Sequence, residues 1–171
     1  LGKGDDHRAH YKLGSHVRTL DGVLGVSFAV WAPSARRVSV VGDHNLWNGH
    51  AHPMRNLGAS GIWELFIPGV HAGARYKYEI VGPHDSTPFL KTDPYGLHFE
   101  PSPNHAAIVC DLSKFVWNDA VWMDARRSRD LRSRPMSVYE VHLASWRRVP
   151  EEGGRVLGYQ ELGEQLASYC L

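Results

Sequence analysis

The chain has 171 residues, 43% of them hydrophobic and 22% charged, with 19 Lys and Arg against 18 Asp and Glu for a formal net charge of +1. That length holds one full domain and part of a second, and near-neutrality argues against the cationic field that nucleic acid would select. No apolar run approaches the ~18–20 residues of a membrane span, and the opening LGKGDDHRAH lacks a signal peptide's apolar core, so a cytoplasmic protein with no membrane partner is expected.

Residues 1–16 are polar, His-rich and aperiodic, and read as an N-terminal extension. From Asp21-Gly22 onward short strands alternate with turns. GVSFAVWAP (25–33) sets Val26, Phe28 and Val30 on one face, RRVSVVG (36–42) is β-branched, and GIWELFIPG (61–69) alternates again. RYKYEIVG (75–82) places Tyr76, Tyr78 and Ile80 opposite Lys77, Glu79 and Val81, and AAIVCDL (106–112) is a last short strand. Strands at turn-spaced intervals without helical periodicity predict an antiparallel β-sandwich over 17–112.

Residues 113–135 mix aromatic anchors with an Arg-rich run and read as a connector. After Pro135, MSVYEVHL (136–143) has the compact apolar character of a strand covered on both faces. A polar loop follows, and YQELGEQLASYCL then sets Tyr159, Leu162, Leu166 and Tyr169 on one helical stripe. The 136–171 stretch is thus one βα unit. A single parallel strand with one helix cannot bury itself, so further barrel elements are expected to complete it. The predicted fold class is mainly β: an immunoglobulin-like antiparallel β-sandwich followed by one βα unit of an incomplete (β/α)8 barrel.

Six Trp and seven Tyr, several in turn-like surroundings, suggest aromatic ligand platforms. Trp47 lies in the polar loop DHNLWNG, where it has little reason to be core, and Lys77 alternates with two tyrosines and should project outward to donate to hydroxyls. Trp31 and Trp63 alternate with strand residues and are expected to pack, either in the sandwich or against the barrel. Asp43, Asp93 and Asp111 read as turn residues, and Glu140 as a structural carboxylate. Cys110 and Cys170 match no metal or redox spacing and are expected as free thiols. Eleven histidines include His7 with His10 and His44 with His50 and His52, but none forms a helix-borne HxxxH or has a Cys partner, so neither metal nor cofactor is expected.

The strings VVGDHNLW, SGIWELFIPG, YKYEI, KTDPYG and PMSVYEVHLASWRR resemble the N-terminal third of bacterial 1,4-α-glucan branching enzymes, over roughly residues 12–171. The first strings resemble carbohydrate-binding module family 48, and YEVHLASWRR resembles the start of the branching-enzyme barrel. The chain departs from the family pattern at His44 (usually Phe), Asn48 (usually Asp), Ala144 (usually Gly) and Gly163 (usually Ala). A histidine at 44 either keeps the packing with a polar tip or loosens the loop.

The resemblance implies a retaining glycoside hydrolase family 13 mechanism, with two carboxyl groups about 5–5.5 Å apart. In the family those carboxylates come from later barrel strands, so no catalytic residue is assigned in this chain. It also implies carbohydrate contacts at Trp47 and Lys77, with Phe89 and Asn104 as further candidates by position, and support of the barrel face by His142, Ser145 and Trp146. The implied partners are α-1,4-glucan or glycogen and a catalytic barrel C-terminal to these residues. The alternatives are a stand-alone glycogen-binding protein and an interaction sandwich with no sugar affinity.

Overall fold

The computed structural model describes residues 7–130 and 133–171, and the chain divides into two compact units, one ending at Val116 and one starting at Trp117. The described residues of the first unit hold nine strands: β1 (Gly14–Leu20), β2 (Val23–Trp31), β3 (Arg37–Gly42), β4 (Arg55–Asn56), β5 (Ile62–Pro68), β6 (Arg75–Val81), β7 (Phe89–Lys91), β8 (His98–Phe99) and β9 (Ala107–Ile108). They form two antiparallel sheets, ordered β1-β2-β5-β4 and β3-β6-β9-β8, with β7 also paired to β6.

Local chemistry sets these strands. Asp21 and Gly22 both take positive φ (49° and 81°) and join Leu20 to its partner Val23, the left-handed pair that a two-residue hairpin requires. Alternation along β2 sends Val26, Phe28 and Val30 inward, where they meet Trp63 and Ile67 of β5, Val38 and Val40 of β3, and Tyr76 and Tyr78 of β6 in one core. Trp63 packs as expected, at 7% exposure, with its indole N–H donating to the Ala32 carbonyl at 3.0 Å. Trp31 is not packed in the sandwich: it is 62% exposed. The same alternation turns it to the outer face of its sheet, beside the small cluster that Leu13, Ala29 and Ile62 form there.

The largest fully buried side chains are Tyr76 and Tyr78, and their hydroxyls share one acceptor. Asp93 Oδ2 accepts from Tyr76 at 2.6 Å and from Tyr78 at 3.1 Å, while Oδ1 accepts the Tyr95 backbone N–H at 2.8 Å. The expected turn role is therefore only half of what Asp93 does. It is 1% exposed, and loss of solvation pushes its carboxyl above the usual carboxylate range despite the three donors. Burial, and then the Asp93 charge, likewise raise both phenols.

His44 keeps the packing. Its ring stacks on Phe28, with centroids 6.3 Å apart, and lies 5.2 Å from the His52 ring. Both His44 ring nitrogens are buried without a partner, and desolvation, followed by the His52 charge, holds its pKa below the ordinary value.

The second unit comprises α1 (Ala120–Arg127), α2 (Leu143–Trp146), β10 (Arg148–Val149), β11 (Arg155–Val156) and α3 (Tyr159–Cys170). The expected helix over the last residues forms. Its start is fixed by Glu161, which accepts the Gly158 N–H at 2.8 Å and pairs with Arg155; those contacts pull the Glu161 carboxyl down to about 2. Of the expected stripe, Leu162 is buried, whereas Tyr159 and Tyr169 are exposed. The expected strand over 136–143 is not realised: 136–142 enter no ladder among the described residues, and Leu143 opens α2. The physical reason is the one its composition suggests, since a parallel strand exists only through neighbours on its edges. Nor is the connector wholly irregular, because α1 occupies part of it.

Two stability measurements test this account. Asp93→Ala leaves two buried hydroxyls without their acceptor and is expected to cost about 2–5 kcal/mol in urea unfolding. In the parent, the raised Asp93 pKa means that its contribution falls as pH rises from the unfolded value of 3.8 towards the folded one, and Asp93→Ala should abolish that slope. His44 acts in the opposite sense. Its lowered pKa contributes stability that is full above the unfolded value of 6.5 and is lost as pH falls below it. His44→Phe should gain about 1 kcal/mol at pH 7 by removing unpartnered nitrogens, and thermal melts from pH 7 to 5 should lose that acid-side decline.

Candidate functional site

Tyr76 and Tyr78 point inward, so the period of two along β6 turns Arg75, Lys77 and Glu79 outward. Directly opposite on β3 are Val41, beside Lys77, and Ser39, beside Glu79. Both are fully buried although they face outward, because the loop after β3 folds back over this face. Gly49 sits in that loop against Glu79: a Cβ there would lie 2.0 Å from Glu79 Oε1, so a larger residue would displace the carboxylate from this contact. Arg37 fastens the contact, donating to the Gly49 carbonyl at 3.1 Å and to Glu79 at 2.7 Å.

The loop itself is held in an unusual backbone state. Leu46 and Trp47 both take left-handed conformations, with φ of 54° and 61°. For non-glycine residues this costs roughly 1–2 kcal/mol each, and surrounding bonds must impose it. Asn45 supplies most of them: its Oδ1 accepts the Gly42 N–H at 3.0 Å, and its Nδ2 donates to the Val40 carbonyl at 2.9 Å and meets His52 Nδ1 at 2.9 Å. The Trp47 backbone N–H closes the turn on the Gly42 carbonyl at 3.0 Å. The result presents Trp47 at 37% and Leu46 at 90% exposure.

Arg75 joins this loop to the strand. Its Nε and Nη2 donate to the two Asp43 oxygens, both at 2.9 Å, and its backbone N–H reaches Asp43 Oδ2 at 3.2 Å. Its Nη1 donates to Glu100 at 3.0 Å, and the other Glu100 oxygen accepts the Ala106 N–H at 3.2 Å. Asp43 is held below the usual carboxylate range first by Arg75 and to a lesser degree by the Trp47 indole N–H. Arg75 and Arg37 are thus tied up in ion pairs, while Lys77 has no ion-pair partner among the described residues.

The expected carbohydrate residues separate on this frame. Trp47 and Lys77 come to the same face through Asp43 and Arg75. Asn104 lies exposed in the segment between β8 and β9, next to the cis Ser102–Pro103 peptide, and Glu100 tethers that segment to Arg75. Phe89 does not join them. It pairs with Ile80, so it faces the same side as Tyr78 at the sheet edge, and its ring lies beside Lys91 Nζ at 5.7 Å. Sequence reasoning missed Leu46 and Arg75. The signal for Arg75 was its place two residues before Lys77, with acidic Asp43 directly after β3, which pairs with β6.

In the second unit, His142 Nδ1 and Ser145 Oγ are 2.8 Å apart, and the Trp146 indole donates to Tyr139 Oη at 3.0 Å with Arg147 stacked 4.5 Å over its ring. Cys110 is half-buried and Cys170 exposed, both as free thiols. Among the described residues no three His, Cys, Asp or Glu converge as metal ligands, and no helix is long and apolar enough to cross a membrane.

Residues 12–96 match the family model of carbohydrate-binding module 48, the isoamylase N-terminal domain. The chain is 54% identical over 169 residues to the 1,4-alpha-glucan branching enzyme GlgB of Rubrobacter xylanophilus and 52% identical over 169 residues to that of Paramagnetospirillum magneticum. Each match covers 99% of this chain and 23% of the relative, so the chain spans about a quarter of the length of these enzymes. A crystal structure of a Salmonella typhimurium protein classed as an alpha amylase shares the fold, with a TM-score of 0.50 and 22% identity over 64% of this chain and 16% of that one. The sandwich belongs to carbohydrate-binding module family 48, and the chain matches the N-terminal, module-bearing region of the 1,4-alpha-glucan branching enzymes.

Proposed function

We propose that the sandwich, read as residues 17–112, binds α-1,4-glucan or glycogen through Trp47 and Lys77, with Asn104 at the margin of the same surface. The observation that carries this is the strained turn: the chain spends stability to hold an indole outward beside a lysine that has no ion-pair partner among the described residues. A flat ring stacks on the apolar face of a glucose unit, and the ammonium donates up to three hydrogen bonds to its hydroxyls. Leu46, alongside, extends the apolar contact. Phe89 would serve only a glucan that wraps around the sheet edge.

On this reading the chain is the front part of a branching enzyme that transfers α-1,4-glucan segments to 6-hydroxyls, a cytoplasmic activity of glycogen synthesis that uses no cofactor. The two catalytic carboxylates belong to later barrel strands. Residues 113–135 connect the module to the barrel, and 136–171 begin it. There His142, Ser145 and Trp146 support the barrel face, through the His142–Ser145 contact and the Trp146–Tyr139 bond.

Affinity electrophoresis of the chain in gels containing glycogen tests the binding half. Retardation is expected, with Trp47→Ala weakening it at least tenfold and Lys77→Ala a few-fold, on the scale of one lost stacking contact and one lost hydrogen bond. Equal mobility with and without glycogen would leave an interaction domain with no sugar affinity.

A further inference from the structure

Arg75 is half exposed and is the one described side chain bonded to carboxylates from both flanking segments of this face. β6 lies between β3 and β9 in its sheet. Asp43 opens the loop that follows β3 and carries Trp47, and Glu100 opens the segment that precedes β9 and carries Asn104. Arg75 takes Asp43 in a two-pronged contact with both oxygens at 2.9 Å and Glu100 at 3.0 Å, so one guanidinium fastens both segments to the strand that bears Lys77.

We propose that Arg75 is a positioning residue for the glucan surface, which orients Trp47 through Asp43 and the Asn104 segment through Glu100 on either side of Lys77. This rests on the glucan-binding reading above. Removing Arg75 leaves Asp43 and Glu100 as unneutralised like charges on segments that the guanidinium had drawn together, and they repel. The loop then loses a bond that helps to hold Leu46 and Trp47 in their left-handed conformations. The core is untouched, because Tyr76 and Tyr78 anchor β6 from the opposite face.

The clamp makes a prediction that plain structural support would not. The ligand is uncharged, so its affinity should be nearly independent of salt unless ion pairs shape the site, and this clamp is exposed enough to be screened. Calorimetric titration of the purified chain with a soluble linear malto-oligosaccharide reads this out. Arg75→Gln is expected to weaken binding about 5–10-fold, the consequence of losing a bidentate and a single ion pair, with the melting temperature little changed. Raising NaCl from 0.05 to 0.5 M should weaken the parent roughly two- to threefold and leave Arg75→Gln unaffected. In a double-mutant cycle with Trp47→Phe, the two losses should be clearly less than additive, because Arg75 acts through Trp47. Should Arg75→Gln fail to fold, the Asp43→Asn, Glu100→Gln pair removes both partners' charges and should give the same loss and the same salt independence. Parent-like affinity in these variants, or full additivity with Trp47→Phe, overturns the proposal while the glucan reading stands. A parent that binds no malto-oligosaccharide at any salt overturns both.

Discussion

Two tyrosines two residues apart on β6 have buried hydroxyls, and a single carboxylate, Asp93, accepts from both. The whole outward face of this sheet depends on that arrangement. A strand has only two faces, so anchoring Tyr76 and Tyr78 inward obliges Arg75, Lys77 and Glu79 to face outward, and a slip of one residue would exchange the two sets. The same contact ties the two sheets together. Tyr78 also lies 3.4 Å from the Ala29 carbonyl of β2 in the opposite sheet, and the Ser15 hydroxyl of β1 acts on Tyr76. An apolar replacement would keep the alternation but would lose these bonds between the two sheets.

The outward face is built the opposite way, from exposed charge and strained backbone. Individual surface ion pairs contribute little to stability, about 0–1 kcal/mol. Their concentration around one arginine is better explained by geometry than by folding energy. Gly49 against Glu79, Asn45 across the turn and Arg75 between two carboxylates each fix a position rather than fill a volume. His44 marks the boundary between the two regimes. Its ring fills the space an aromatic hydrocarbon would fill, stacked on Phe28, yet two of its atoms want water that the site excludes.

The sandwich was legible in the sequence because its signals are local: alternation in β2, β5 and β6, and Asp21-Gly22 at a hairpin. The outward placement of Trp47 and Lys77 was legible for the same reason, one by its polar surroundings and the other by its parity with two tyrosines. What escaped was long-range. Asp93 reads as a turn aspartate because its neighbours are turn residues, and nothing within a few positions reveals the hydroxyls 17 and 15 residues away. Arg75, Asp43 and Glu100 are each unremarkable until the sheet brings them together. Phe89 carries the right chemistry, but cross-strand register, which spacing alone does not give, puts it on the other face. The strand expected over 136–143 depends on partners that no local pattern can supply.

Every buried residue of the main core lies between Val26 and Val109, inside the first unit. A domain that completes its own interior can be moved without being redesigned. The proposed glucan surface, resting on that interior through β6, would travel with it intact. Recombination could therefore place such a sandwich before barrels of different chemistry, and an engineer could fuse it to an unrelated enzyme as a polysaccharide anchor.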